Sequence, residues 1–178
     1  MKKLFTIVML LGSVQLFAQG QLQKEASGNI SYTSDHVMQL AEAIPAEKYS
    51  WAPEEGVRSV AGVLAHIITL NYFFGSKLGG TVPEGINMMS IEKDLTEKEE
   101  ITAALKQSYE MLITAVQKAK DESLSEKVEY PFPGEYTNMS SILIAMSHTN
   151  EHLGQLIAYA RMNGITPPWS MAEHGGGE

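Results

Sequence analysis

Thr137-Asn138-Met139-Ser140-Ser141-Ile142-Leu143-Ile144-Ala145-Met146-Ser147-His148-Thr149-Asn150-Glu151-His152-Leu153-Gly154-Gln155-Leu156-Ile157-Ala158-Tyr159-Ala160-Arg161-Met162-Asn163-Gly164 is the stretch on which the reading of the fold turns. Thr137 is a helix N-cap residue, because its hydroxyl can accept from a free amide of the first turn. The run that follows continues to about Asn163, and Gly164 with Pro167-Pro168 beyond supplies the stop. One long helix closes the chain.

Three more helices precede it. Thr96-Glu97-Lys98-Glu99 matches a capping box, and Ile101, Leu105, Tyr109, Leu112 and Val116 form the apolar stripe of the helix it would open. That stripe frays near Asp121. Upstream, residues 81–94 contain Pro83, Gly85 and Met88-Met89 without a sustained period and read as a long connection. Ser59 caps another helix, whose stripe is Val60, Val63, Leu64, Ile67, Leu70 and Phe74 and whose end is Gly79-Gly80. Before it lies the loop Trp51-Ala52-Pro53-Glu54-Glu55-Gly56. The first helix is read over residues 30–44 from Val37, Leu40, Ala41 and Ile44, with Pro45 as its stop. No convincing strand is present, and the fold class is all-α, a four-helix bundle.

The composition bounds the chemistry. The 178 residues hold no cysteine, which excludes a disulfide framework, a thiolate metal site and a cysteine nucleophile. With 13 Lys and Arg against 21 Asp and Glu the formal charge is −8, which argues against a nucleic-acid partner. Met1-Lys2-Lys3 followed by an apolar run over residues 4–17 reads as a secretory signal peptide cut after Ala18, with Gly20 as the alternative. Loss of Lys2 and Lys3 takes the charge to −10. The expected organisation is a signal peptide over 1–18, a flexible segment over 19–29, the bundle over 30–169 and a disordered tail over 170–178. The protein is then exported, periplasmic or secreted, with no stable membrane insertion after cleavage.

His148 and His152 stand one helical turn apart, about 6 Å along the axis and about 40° around it, so they share a face. Ser141, Ala145, Gln155 and Tyr159 fall on that face, and it points inward. His66 lies three residues after Val63 and four before Leu70, within the second helix's apolar stripe. A single core histidine is best read as a satisfied buried polar group; three inward ones are better explained together, as ligands of one divalent metal. Neutral imidazoles without thiolate suit Zn²⁺ first, with Ni²⁺, Cu²⁺, Fe²⁺ or Mn²⁺ as alternatives. Three protein ligands leave a coordination position open, as in catalytic rather than structural zinc sites.

The segment Val57-Arg58-Ser59-Val60-Ala61-Gly62-Val63-Leu64-Ala65-His66-Ile67 resembles the second-helix signature of the DinB-like superfamily. His148-Thr149-Asn150-Glu151-His152-Leu153-Gly154-Gln155-Leu156 is similar to its last-helix signature, and residues 51–56 and 159–168 resemble the flanks. The resemblance covers about residues 30–169 with the motifs in family order. It implies an up-down-down-up bundle with a long connection between helices two and three, commonly a homodimer. It also implies a divalent metal on three histidines that map onto His66, His148 and His152. Relatives include thiol-dependent S-transferases, a thiol-dependent isomerase and proteins described as metal-dependent hydrolases; the family name implies no contact with DNA. The thiol-dependent relatives use cytoplasmic thiols, whereas this chain begins with an export signal, so the expectation is a metal-dependent hydrolase or transferase acting on a small molecule. The alternative is a non-catalytic exported protein that binds a metal or ligand in the same pocket.

Other residues are placed around this site. Glu151 lies about 60° from His148 and about 100° from His152, and is the candidate proton acceptor. His148-x-x-Glu151-His152 also fits an inverted zinc-protease pattern, but the acids downstream of it are only Glu173 and Glu178, in the tail. Gln155 and Tyr159 share the histidine face and are candidates to touch substrate, as is His36, which borders the core four residues before Leu40. The ten Met read as core filler and loop contacts rather than copper ligands.

Overall fold

The computed structural model describes residues 20–170. The expected signal peptide, and all of the expected tail except Ser170, lie outside the described residues. Four long helices make the domain: α1 (Gln21–Ala43), α2 (Val60–Lys77), α4 (Lys98–Lys118) and α5 (Asn138–Met162), with the single-turn helix α3 (Ile91–Asp94) in the long connection. Each of α1 and α2 packs against both α4 and α5, which sets the four in a square with α1 and α2 on one diagonal.

Side-chain contacts give the directions. Lys98 at the start of α4 donates from Nζ to the carbonyls of Glu42 and Ile44 at the end of α1. At the opposite end Asp121, just past α4, accepts from the backbone N–H of Gly20 and from Gln23 Nε2. So α1 and α4 are antiparallel. Asn71 and Tyr72 of α2 bond Ser108 and Gln107 of α4, and Gly75, a turn further on, packs against Met111, also a turn further on, so this pair is parallel. Arg58 meets Tyr159 and His66 meets His148, so α2 and α5 run in opposite senses. The result is the up-down-down-up bundle.

The core is the sum of the helical stripes. Val63, Leu64, Ile67 and Ile68 of α2, Ile101, Leu105 and Leu112 of α4, Ile142 and Leu156 of α5, and Ile30, Val37 and Leu40 of α1 are all buried. Burying each such side chain stabilises the fold by roughly 1.5–3 kcal/mol before entropy is counted. Among the described residues no helix is long and apolar enough to cross a membrane.

Three local features differ from the sequence reading. α1 starts at Gln21, nine residues earlier than expected, and residues 21–29 are helical, not a flexible segment. Its added turns bury Gln23 and Ser27, polar residues whose hydrogen bonds to Ala119, Asp121 and Lys24 make burial affordable. The capping box over 96–99 does not form: Glu97 is the N-cap of α4 with no side-chain cap, and Thr96 serves as the link after α3. A two-residue antiparallel ladder, β1 (Lys127–Val128) with β2 (Tyr136–Thr137), closes the connection into α5. The cap of α5 is as expected and doubled, since Thr137 Oγ1 accepts from Ser140 N at 3.3 Å while Ser140 Oγ accepts from Thr137 N at 3.1 Å. Thr137→Ala is expected to cost about 1 kcal/mol and to lower Tm by about 2–4 °C, measured by thermal denaturation.

Candidate metal centre

The antiparallel crossing of α2 and α5 sets His66 opposite His148 and His152. One ring nitrogen from each lies within 4.8 Å of the others, and the ring centroids are 5.1, 5.1 and 4.3 Å apart. His152 is buried and the other two are half-buried. Nε2 of His148 faces Nε2 of His66 at 3.2 Å.

Two hydrogen-bond chains orient these rings, and both lead to Arg58, the residue before the N-cap of α2. In the first, the Arg58 guanidinium donates to both oxygens of Glu92, at 2.9 and 3.3 Å, and His66 Nδ1 donates to Glu92 Oε1 at 2.8 Å. In the second, His152 Nδ1 donates to Gln155 Oε1 at 2.8 Å, Gln155 Nε2 donates to the Tyr159 hydroxyl at 3.0 Å, and that hydroxyl donates to the Arg58 carbonyl at 3.2 Å. The direction of the second chain is forced. A backbone carbonyl only accepts, so Tyr159 must donate to it and receive the Gln155 amide, which turns the Gln155 oxygen toward His152. Both His66 and His152 therefore carry their proton on Nδ1 and aim an Nε2 lone pair inward. Trp51, edge-on to Tyr159 with centroids 5.3 Å apart, holds the phenol in place.

Burial lowers the pKa of His66, an effect partly offset by its bond to Glu92 and reinforced by the Arg58 charge. His148 is pushed down to about 3, first by burial and then by the charges of His152, His66 and Arg58. For Glu92 burial acts upward, but the hydrogen bonds from Arg58 and His66 outweigh it and hold the carboxyl below its ordinary value. Nδ1 of His148 is buried with no hydrogen-bond partner among the described residues. Three neutral imidazoles, two with their lone pairs fixed inward, repel one another unless a proton or a cation lies between them. This donor set fits a divalent metal on His66, His148 and His152.

The other expected residues divide. Gln155 and Tyr159 are brought to the cluster, as links in the chain that orients His152. Glu151 is exposed, on the outer side of α5, with no hydrogen bond or ion pair to the three histidines. His36 lies elsewhere, its ring between Tyr32 and Trp169 with centroids 4.3 Å from each and its Nδ1 donating to the Tyr32 carbonyl. The carboxylate that does touch the cluster is Glu92, which the sequence reading passed over, as it did Arg58. Glu92 sits on a one-turn helix in an aperiodic segment, where spacing carries no information.

A sequence profile of the DinB superfamily matches residues 30–156, and the chain belongs to that superfamily. YjoA, an uncharacterized protein of Bacillus subtilis, is 27% identical over 131 residues, covering 72% of this chain and 82% of YjoA. Among solved structures, a DinB-like protein from Bacillus cereus superposes with a TM-score of 0.65 at 19% identity, covering 78% of this chain and 90% of that one. The mycothiol-dependent maleylpyruvate isomerase superposes with a TM-score of 0.61 at 11% identity, over 75% of this chain and 60% of its own. ClbS, a colibactin self-resistance protein solved in complex with a dsDNA, does so at 0.57 with 18% identity, over 78% and 95%. ClbS corrects the expectation that an acidic balance excludes a nucleic-acid partner. A protein of this fold is seen with DNA, and net charge sums a surface whose local patches do the binding.

Two outcomes are expected of the metal-free protein. His148 takes up a proton at its ordinary 6.5 when unfolded but only near 3 when folded, so its contribution to stability is complete above pH 6.5 and is lost as pH falls toward 3. Denaturant titrations should show a loss approaching ~1.4 kcal/mol per pH unit in that window, flattened in His148→Phe. Glu92→Gln would keep its oxygen on Arg58 and turn its amide N–H toward His66. Imidazole ¹⁵N shifts should then report His66 switched to the Nε2–H tautomer with His152 unchanged.

Proposed function

We propose that this protein is exported and holds one divalent cation, Zn²⁺ by preference, on His66, His148 and His152, using it for hydrolysis or group transfer on a small molecule. The observation that carries the reading is the convergence of three imidazole nitrogens within 4.8 Å, with two of the rings turned by Glu92 and Gln155 to present Nε2. A divalent cation on three imidazoles supplies a Lewis acid with an open coordination position. The protein's own residues do the rest. Glu92, kept ionised by Arg58, holds the His66 proton on Nδ1 and raises the basicity of Nε2. Gln155 and Tyr159 do the same for His152 through neutral groups, so the two ligands differ in donor strength. The α2 and α5 backbones fix the separation of the rings. The mycothiol-dependent maleylpyruvate isomerase, a neighbour in fold, supports small-molecule chemistry on such a bundle. Export rests on the cationic start and apolar run of residues 1–18.

A non-catalytic metal- or ligand-binding role is favoured by one observation: Glu92, the carboxylate at the cluster, is already engaged by Arg58 and His66, while Glu151 points to solvent. Turnover of an ester, amide or thioester panel by the metal-loaded protein separates the two readings. Metal analysis of purified protein should find one divalent ion per chain, with His66→Ala, His148→Ala and His152→Ala each lowering the content to a small fraction. Full occupancy in all three variants would refute the site.

A further inference from the structure

A groove of about 520 Å³, within the range of small-molecule sites, lies along α2 on the C-terminal side of His66. Leu70 and Phe73 of α2, Met88 and Met89 of the long connection, and Tyr130 and Phe132 of the hairpin loop line it. Lys77 and Glu129, of opposite charge, also line it.

Three relations connect its lining to the cluster. Leu70 follows His66 by one helical turn, about 6 Å along α2. Met88 and Met89 lie four and three residues before Glu92, which bonds His66. The ring of Phe74 stands between Tyr130 and His148, with centroids 6.2 and 6.0 Å away.

The parts of the lining are built differently. Tyr130 is fixed: its hydroxyl donates to Ser141 Oγ at 2.9 Å, its ring stacks on Tyr136 at 4.3 Å and 11°, and it meets Phe73 and Phe132 edge-on at 5.1 and 5.0 Å. The turn that allows this needs Gly134, at φ 142°, because a Cβ there would lie 2.6 Å from the Tyr136 hydroxyl. Met89 is 94% exposed and Phe132 45%, so apolar surface of the lining is held in solvent. A lining of ordered aromatics together with thioethers that can re-pack suits a ligand with a flat or branched apolar group.

We propose that this groove is the subsite for the apolar body of the substrate, an aromatic or branched aliphatic group a few bonds from the polar centre that reaches the three histidines. The inference rests on reading the histidines as the reaction site and narrows the substrate class to amphiphilic small molecules. The occupant is a small molecule and not a second chain, because the volume is that of a small-molecule site and Leu70 in its lining is one helical turn from His66.

The test compares wild type with the double variant Met89→Ser, Phe132→Ser, both exposed positions, after thermal melts show that the variant is folded. For Zn²⁺-loaded protein, phenylacetohydroxamate should bind at least tenfold tighter than acetohydroxamate. In the variant that advantage should fall to threefold or less, with acetohydroxamate affinity unchanged. An aryl compound no better than the methyl one in wild type, or an advantage that survives in the variant, overturns the proposal while leaving the metal site standing. Metal-free protein labelled at methionine methyls separates the opposite failure. Phenylacetamide, which has no chelating group, should shift the Met88 and Met89 methyl signals even if no metal ever binds. A wild-type dimer that the double variant dissolves would show that a second copy covers the groove, and would also overturn the proposal.

Discussion

Three imidazoles facing one another in the gap between two antiparallel helices is the constraint around which this bundle is organised. Each ring brings two nitrogens that must find partners in surroundings too poor in water to supply them. For His66 and His152 the fold answers with groups taken from three separate segments: Glu92 from the connection, Gln155 and Tyr159 from the next turns of α5, and Arg58 from the entry to α2. Arg58 contributes its guanidinium to one chain and its carbonyl to the other. The residue just before the N-cap of α2 thus references the histidines on both helices to a single point.

The rest of the architecture keeps that gap at a fixed width. α1 and α4 clasp each other at both ends, through Lys98 on the α1 carbonyls and Asp121 on the first turn of α1. Because each of them packs against the α2 and α5 pair or one of its members, the two ligand-bearing helices cannot slide without breaking a clasp about thirty ångströms long, the span of some twenty helical residues. Close contact of Gly75 and Gly80 with Met111 locks α2 against α4 in the same way. Rigidity of this kind is what a set of nitrogens needs in order to present one geometry.

The parts that the sequence made legible are those governed by local rules. Ser59 and Thr137 cap their helices by the expected bonds, and Gly79 and Gly164 take positive φ past the helix ends. The inward histidines followed from helical angle alone. Misreadings came where tertiary contact decides. Gln23 and Ser27 look like solvent-facing residues and are buried, because Asp121, about a hundred positions on, supplies the acceptor for Gln23. Thr96 looks like a cap, but the helix after it starts at Lys98 with Glu97 as its N-cap. Glu92 looks like one charge in an acidic run, and only the fold brings it to His66. Glu151 illustrates the reverse error: a helical angle of about 60° from His148 put it on the side of the site, but that offset is enough to leave it exposed.

Glu92 lies on a helix of a single turn, too short to be stable by itself. Ile91 anchors that turn in the core, and Glu92 ties it to Arg58 and His66. The same connection carries Met88 and Met89. Whatever strengthens the hold of His66 on Glu92 also steadies the thioether part of the groove's lining, and whatever settles in the groove steadies Glu92 in turn. The connection is therefore a thermodynamic link as much as a covalent one. Under the proposed function, a cation on His66 and an apolar ligand in the groove would both act on this connection, and any change each made in the affinity for the other would be by the same factor.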